Sequence, residues 1–404
     1  MLLILAWRNI WRNKKRSLII IAAIAAGLLS GLFASAVMFG VFESLVNSTI
    51  DRDLGHIQIH SSKFEDEKLL ADTIPDYQFI LQVIKNQEFV SGVSPRIVLE
   101  GMGSSATTST GLRIVGINPA NEKTVTTIYK RIVAGNYFEE EKKNQILIGK
   151  KLADDLGISE NSKIVLSFQD FEGNIIYGAF RVSGIFETES SVFDKMNVFL
   201  EENDLFSLLN VEPVYHEVAI RLNSVQNVDS VHANLSNELS DLSVKSWKEL
   251  APELKLMDEM IGLELNIFLA IILFALLFGI TNTMLMSVME RVREFGVLMA
   301  IGMKRRRVFA MIIIETILLS LVGGVIGIIL ASISIALVGD VGINLSAFTE
   351  GFTAYSISPV LYPILPISFY ISISLMILIT AIFSAFYPAI KAIKLKPAQA
   401  IRTY

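Results

Sequence analysis

Four long stretches of the sequence contain no lysine or arginine and consist mainly of apolar residues. They cover residues 17–42, 263–289, 308–338 and 367–390. Because a helix rises about 1.5 Å per residue, each stretch is long enough to cross about 30 Å of hydrocarbon. Inside a bilayer the backbone must satisfy its own hydrogen bonds, so we expect four transmembrane helices.

The basic residues that flank these stretches predict an orientation. They are concentrated in residues 1–16, 290–307 and 391–404, and the positive-inside rule places these three segments in the cytoplasm. Residues 43–262 and 339–366 then lie outside. The sequence therefore predicts a multi-pass protein of the cytoplasmic (inner) membrane whose N- and C-termini are both cytoplasmic.

Residues 43–262 alternate short β-like runs with turn signals and a few helical stretches. This pattern predicts a large α+β extracytoplasmic domain in two lobes, inserted between transmembrane helices 1 and 2, with a hairpin around residues 170–174. His56 and His60 would share one strand face about 13 Å apart, too far to bind one metal ion. Since the chain also has no cysteine and no hydrolase motif, we expect a non-catalytic chain without metal or cofactor.

The first 16 residues place Trp7 and Trp11 on one helical face and Arg8 and Arg12 on the neighbouring face. The spacing predicts an amphipathic helix that lies in the membrane interface. A basic flank that only sets the topology would contain the same residue types, so both interpretations stand.

Residues 290–307 combine a charged start, an apolar run from Phe295 to Ile301 and a basic end. A plain cytoplasmic loop does not need such an apolar run. The pattern predicts a helix that presents a docking surface to another protein.

Small residues recur at intervals of four in two of the predicted spans. Gly27 and Gly31 follow Ala23 in the first span, and Gly323 and Gly327 lie in the third. This spacing allows helices to approach closely, either at a dimer interface or within one subunit.

Several motifs occur in an order that resembles a known family. They are E-R-V-R-E-F-G-V-L-M-A-I-G-M at 290–303, Glu315 followed by G-G-x-x-G at 323–327, and the tail Y-P-A-I-K-A-I-K-L-K-P-A-Q-A-I-R at 387–402. With the start L-A-W-R-N-I-W-R-N-K-K-R-S and G-H-I-Q-I-H at 55–60, the chain resembles ABC transporter permeases of the MacB/FtsX-like group. It looks closest to the lipoprotein-releasing LolC/LolE branch, and the resemblance covers essentially the whole chain.

The resemblance implies a coupling helix between spans 2 and 3 that contacts a separate ATPase subunit. Carried onto this sequence, the residues that would make the contact are Glu290, Arg291, Arg293, Glu294, Phe295, Gly296, Leu298, Ala300, Ile301 and Gly302. The sequence has no G-x-x-x-x-G-K-[ST] motif, so ATP and Mg are expected to bind to the partner ATPase. The resemblance also implies a dimeric core with a second permease copy or a homologue.

The resemblance further implies a function: release of lipoproteins from the inner membrane toward a LolA-like periplasmic carrier by mechanotransmission. The residues expected to line an acyl-chain cavity are Met38, Phe39, Phe42, Ile267, Phe268 and Ile271, unless they face bulk lipid or pack in the bundle. The hairpin at 170–174 matches the carrier-recruiting hook of that branch but is short and lacks proline.

Two other functions fit the family. One is MacB-like efflux of drugs, peptides or toxins from the periplasm, and the other is FtsX-like signalling to a cell-wall hydrolase. Glu315, a carboxylate inside a span, either forms a structural ion pair near the basic cluster or couples protons or substrate.

Overall fold

The computed structural model of the protein describes residues 2–64, 70–139, 142–348, 351–352 and 357–394. Most of the predicted cytoplasmic tail, residues 395–404, lies outside this range. The chain divides into two units. The helical unit comprises residues 1–42, 258–344 and 360–404, and the α+β unit comprises residues 43–257 and 345–359.

The elements are numbered in chain order. The helices are α1 (Leu2–Arg12), α2 (Lys14–Thr49), α3 (Tyr77–Lys85), α4 (Pro119–Val125), α5 (Lys150–Leu156), α6 (Ser191–Met196), α7 (Glu202–Leu209), α8 (Val228–Glu238), α9 (Trp247–Leu250), α10 (Pro252–Glu290), α11 (Val292–Ala300), α12 (Arg305–Val341) and α13 (Ile367–Ile393). The strands are β1 (Ile57–Ser61), β2 (Val90–Ser104), β3 (Ser109–Ile117), β4 (Ile132–Gly135), β5 (Gln145–Gly149), β6 (Lys163–Gln169), β7 (Ile175–Phe186), β8 (Asn197–Glu201), β9 (Glu217–Leu222), β10 (Leu242–Ser246), β11 (Ile343–Asn344) and β12 (Val360–Leu361).

Within the described residues, four helices are long and apolar enough to cross a membrane: α2, α10, α12 and α13. Each contains one of the predicted spans and extends beyond at least one of its ends. The apolar run marks only the part suited to hydrocarbon, whereas backbone hydrogen bonding continues through polar residues until a cap or a helix breaker ends it.

The small residues of the spans are used inside one subunit. A Cβ atom added to Gly27 would lie 2.9 Å from Leu276 Cδ1, and one added to Gly327 would lie 2.9 Å from Leu28 Cβ. These glycines therefore let α2 pack closely against α10 and α12. Such packing accounts for their spacing without a dimer interface.

The α+β unit contains one ten-stranded sheet. Its strand order is β10-β1-β9-β2-β3-β8-β5-β7-β4, with β6 paired to β2 and β7. β2 and β7 are long enough to pair with different partners along their length, which joins the ten strands into one sheet. The division of this unit into two lobes stays a prediction. One large hydrophobic cluster includes Ile114, Ile148 and Val198, and a second includes Phe186 and Phe199.

The predicted hairpin is confirmed as the antiparallel pair β6–β7. Asp170 closes its turn, since its Oδ1 accepts hydrogen bonds from the backbone amides of Glu172 and Asn174. Gly173 has a φ of +86°, a left-handed conformation that glycine adopts without strain.

A buried charge cluster connects the segment after α2 to the sheet of the same unit. Arg96, on β2, is 0% exposed and donates two hydrogen bonds to Glu122 at 2.8 and 3.0 Å. It also donates to Glu217 and to the carbonyl of Asp53. Arg113 pairs with Asp53 and Glu217 from the other side. Burial alone would lower the pKa of Arg96, but the surrounding carboxylates raise it above its ordinary value.

Candidate coupling site

Helix α11 is a short helix with a sharp end. The amide of Met303 donates to the carbonyl of Leu298, and the amide of Gly302 donates to that of Met299. This hydrogen-bond pair is a Schellman motif, which requires a left-handed residue after the helix. Gly302 supplies it with a φ of +104°, and α12 then starts at Arg305.

One side of α11 is buried in its own subunit and the other is exposed. Phe295 is 1% exposed and Gly296 is also buried, whereas Ile301, at the end of the helix, is 80% exposed. Leu298 is half-buried. The other exposed residues of this segment include Arg293, Val297, Ala300 and Gly302. The side of α11 that carries Phe295 and Gly296 is therefore covered by the subunit itself, and their contact with a partner stays a prediction.

Two glutamates, Glu290 at the end of α10 and Glu294 in the first turn of α11, form ion pairs with the N-terminal helices. Arg12 Nη2 donates to both carboxylate oxygens of Glu294, at 2.6 and 2.7 Å. Arg16 pairs with Glu290. Burial opposes ionisation of Glu294, but hydrogen bonds from Arg12 and Arg291 outweigh it and hold the pKa of Glu294 below its ordinary value.

Glu315 lies against Arg291 and is 5% exposed. Arg291 Nη1 donates to both oxygens of Glu315 at 3.0 Å, while its Nε donates to Glu294 at 3.1 Å. The Arg291 guanidinium also lies 5.1 Å from the ring centroid of Phe295. This geometry is that of a structural ion pair, one of the two roles that the sequence leaves open for Glu315.

The ion pairs line two cavities at this end of the helical unit. The first has a volume of about 260 Å³ and is lined by Arg12, Arg16, Glu290, Glu294 and Glu315 among other residues. The second, of about 570 Å³, lies between α1 and α11 and has a more apolar lining that includes Leu5, Val297 and Leu298.

Helix α1 is amphipathic, as predicted. Ala6 and Ile10 are buried, whereas Leu3, Trp7 and Trp11 are exposed. The rings of Trp7 and Trp11 meet edge to face with centroids 5.9 Å apart. An exposed apolar strip with a buried opposite side is suited to the membrane interface.

The residues predicted to line an acyl-chain cavity differ in the exposure of their side chains. Met38, Ile267, Phe268 and Ile271 are exposed on the surface of the helical unit, and Phe39 is partly exposed. Phe42 is buried, with its ring centroid 6.1 Å from that of Phe39. Phe42 therefore packs inside the subunit and offers no surface to a ligand in this structure.

Sequence reasoning missed the partners of Arg12, Arg16 and Glu315, and it omitted Val297 from the coupling surface. A signal for the first two exists. Arg12 and Arg16 are four positions apart, as are Glu290 and Glu294, so two pairs of opposite charge have matching helical spacing. Among the described residues, no group of three or more His, Asp or Glu side chains is arranged to hold a metal ion.

Family comparisons agree with this architecture. The family model described as FtsX-like permease C-terminal matches residues 266–397. The model described as MacB-like periplasmic core domain matches residues 17–238, which is more than half of the chain.

Individual relatives include both permeases and a longer transporter. The ABC transporter permease YvrN of Bacillus subtilis is 22% identical and aligns over 98% of each chain. The ABC transporter permease MJ1507 of Methanocaldococcus jannaschii is 24% identical, over 98% of this chain and 96% of its own length. The macrolide export ATP-binding/permease protein MacB of Escherichia coli is 24% identical, over 90% of this chain and 58% of its own length. With two family models matching in tandem, the chain belongs to the MacB/FtsX-like group of ABC transporter permeases.

Proposed function

We propose that this chain is a membrane permease subunit driven by a separate ABC ATPase, with α11 as the coupling helix. The observation that carries the proposal is the exposed end of α11, where Ile301 is 80% exposed beside Val297 and Ala300. An apolar helix surface outside the membrane is unfavourable in water unless a partner covers it. The family gives that partner its class, an ABC ATPase that binds ATP and Mg.

The charges around this surface favour a defined orientation of the partner. Arg293 is exposed and has no ion pair among the described residues, and Lys304 and Arg305 follow the helix. Glu290, Arg291 and Glu294 are already engaged within the subunit. The contact would therefore combine an apolar centre with a basic rim that suits an acidic partner groove.

The orientation and assembly belong to the same proposal. Residues 290–307 and both termini would lie in the cytoplasm, and the α+β unit would lie outside. Two permease chains would form the core. Movement of α11 would pass through the helices to the α+β units, so that substrate is moved on the outer side of the cytoplasmic membrane without crossing the bilayer, which is the mechanotransmission mechanism.

MacB-like efflux of drugs, peptides or toxins is the transport activity we favour over lipoprotein release. The MacB relative aligns over 90% of this chain. The G-H-I-Q-I-H motif, which resembles the lipoprotein-releasing branch, lies in and just before β1, between β9 and β10, and all six residues are buried. Packing explains this motif, so it carries no argument for a lipoprotein substrate or a LolA-like carrier.

The coupling proposal is tested by changing one exposed apolar residue. Ile301→Asp should leave the protein in the membrane but abolish its cross-linking, from a photoreactive residue at position 297, to a chain that mass spectrometry identifies as an ABC ATPase. Val341→Asp is the matched control, since Val341 is 79% exposed at the far end of α12. Cross-linking that survives Ile301→Asp would contradict the proposal.

The choice of substrate is tested in cells that lack the chain. Efflux predicts greater sensitivity to externally added amphipathic antibiotics or peptides, with lipoproteins sorted normally. Lipoproteins retained in the inner membrane would contradict efflux and favour lipoprotein release. A cell-separation defect alone, with neither effect, would favour FtsX-like signalling.

A further inference from the structure

Four charged side chains form a continuous path from the N-terminal helix to the third long helix. Arg12 of α1 contacts Glu294 of α11, Glu294 contacts Arg291, and Arg291 contacts Glu315 of α12. A parallel pair, Arg16 with Glu290, joins the start of α2 to the end of α10. The N-cap and first turn of α11 are therefore held by residues up to 282 positions away in the sequence.

We propose that these ion pairs position α11, so that Arg12, Arg16, Arg291 and Glu315 are positioning residues for coupling. The inference rests on the proposed function, because it matters only if α11 receives force from an ATPase. It assigns the N-terminal helix a role beyond membrane anchoring, as a brace for the coupling helix.

The pairs differ in burial, and this difference assigns them different roles. Glu315 and Arg291 are 6% and 14% exposed at their side chains, so their pair is shielded from water and salt. Arg12 and Glu294 are about half exposed, and exposed pairs contribute little by themselves. We assign the Arg291–Glu315 pair as the permanent anchor of α11 and the Arg12–Glu294 pair as a latch that can open when the helix moves.

The geometry at Arg291 requires a guanidinium. Its Nε faces Glu294 while its Nη1 faces Glu315, so a single planar group bridges α11 and α12. The ammonium of a lysine is a point charge on a flexible stem and cannot hold both carboxylates in this fixed arrangement. Arg291→Lys keeps the charge but should lose the bridge.

A topology signal alone does not explain the arrangement. The positive-inside rule asks only for basic residues near the end of a span, and lysine serves as well as arginine. It does not predict that Arg12 and Arg16 face Glu294 and Glu290, each with its own carboxylate partner. Partner-specific pairing is the property that separates the two explanations.

Pulsed electron paramagnetic resonance on the full chain tests the proposal without an ATPase. The sequence has no cysteine, so spin labels can be placed at Ile301→Cys and Ile329→Cys without first replacing native cysteines. Both sites are exposed, and the distance between their labels reports the position of α11 relative to α12. A second pair at Ile329→Cys and Ile371→Cys reports the packing of α12 against α13 and serves as the reference.

The wild-type chain in lipid nanodiscs should give one narrow distance distribution for the first pair. Arg291→Lys, Glu315→Gln and Arg16→Glu should each shift it or add a second maximum, and the charge swap Arg16→Glu with Glu290→Arg should restore the single maximum. Single variants with unchanged distributions would overturn the proposal, as would a swap that fails to restore the maximum. If a single variant also changes the distance of the reference pair, it has disturbed the helix packing in general. The charge swap then decides, because a restored single maximum supports the proposal and a failure to restore it overturns the proposal.

This result is separable from the proposed function. A restored distribution in the swap variant supports the brace even if Ile301→Asp does not affect cross-linking to an ATPase, which would contradict only the coupling role. Conversely, Ile301→Asp could abolish cross-linking to the ATPase while the substitutions at Arg16 and Arg291 leave the label-to-label distances unchanged. That result would support the coupling role of α11 and contradict the proposal that the ion pairs position it.

Discussion

Replacement of Arg96 by methionine should strongly destabilise the α+β unit. Methionine keeps much of the apolar stem of the arginine but removes the charge and every hydrogen bond from the guanidinium. Glu122 and Glu217, which are 1% and 2% exposed, would lose their main counter-ion. The perturbation therefore isolates the electrostatic contribution from the packing.

The expected loss in free energy of unfolding depends on which partners of Glu122 and Glu217 remain in Arg96→Met. Breaking a buried ion pair by removing one partner costs about 3–5 kcal/mol, because a charge is left buried and unpaired. Arg113 still contacts Glu217, and Ser94 and Thr126 still donate to Glu122, which keeps the loss below the sum of the broken bonds. We expect about 4 kcal/mol, a large fraction of the roughly 5–15 kcal/mol that stabilises a typical domain.

The assay uses an intrinsic probe. The chain has three tryptophans, and only Trp247 lies in the α+β unit, where it is buried. In a background with Trp7→Phe and Trp11→Phe, urea unfolding of the full chain in detergent can be followed by Trp247 fluorescence. A loss of about 4 kcal/mol should lower the midpoint by roughly 1–2 M urea.

A control substitution makes this result decisive. Arg181→Met removes an exposed arginine and should cost less than about 0.5 kcal/mol. If Arg96→Met costs no more than Arg181→Met, the reasoning about the buried cluster is refuted.

The remaining predictions concern pH, helix termination and helix packing. Burial raises the pKa of Asp194 to about 6, so the folded protein takes up a proton at Asp194 as the pH falls, before the unfolded chain does. The free energy of unfolding of wild type, relative to that of Asp194→Asn, should therefore rise by about 2 kcal/mol from pH 7 to pH 4. Urea unfolding followed by Trp247 fluorescence measures this difference. Gly302→Ala should cost about 1 kcal/mol at the end of α11 and speed hydrogen exchange of the Met303 amide. Gly327→Ala should reduce the free energy of unfolding by about 1–3 kcal/mol, because the new Cβ would lie 3.0 Å from the Ala25 backbone. The expected result is a lower melting temperature in detergent.

Each of these predictions has its own contradicting result. A difference between wild type and Asp194→Asn that does not change with pH would show that the Asp194 carboxyl titrates normally. Unchanged exchange at Met303 would mean that the left-handed turn at Gly302 is not required. Gly279 has open space around it, so Gly279→Ala is the packing control, and an equal effect of both substitutions would contradict close packing at Gly327.

Local patterns in the sequence were sufficient for much of the fold. Apolar runs locate the four long helices, and the Asp170 to Asn174 segment locates the β6–β7 turn. These features depend on residues that are neighbours in the chain, where hydrogen-bonding and steric preferences act directly. The order of motifs around one large domain was sufficient for the permease family.

The candidate site was predicted only in part. The apolar run of residues 295–301 indicates a docking helix, but it does not show that Phe295 and Gly296 face the subunit while Ile301 is exposed. That distinction depends on where α11 meets the other helices. Helical periodicity alone cannot tell which of two apolar positions a neighbouring helix will cover.

The sequence by itself determined which segments are long apolar helices, which residues turn the chain, and to which transporter family the chain belongs. Only the tertiary structure decided that β1 lies between β9 and β10, that Arg96 is enclosed by carboxylates, and that Glu315 pairs with Arg291. The physical reason is distance along the chain. Burial and ion pairing depend on groups that folding brings together from remote positions, and no local pattern contains that information.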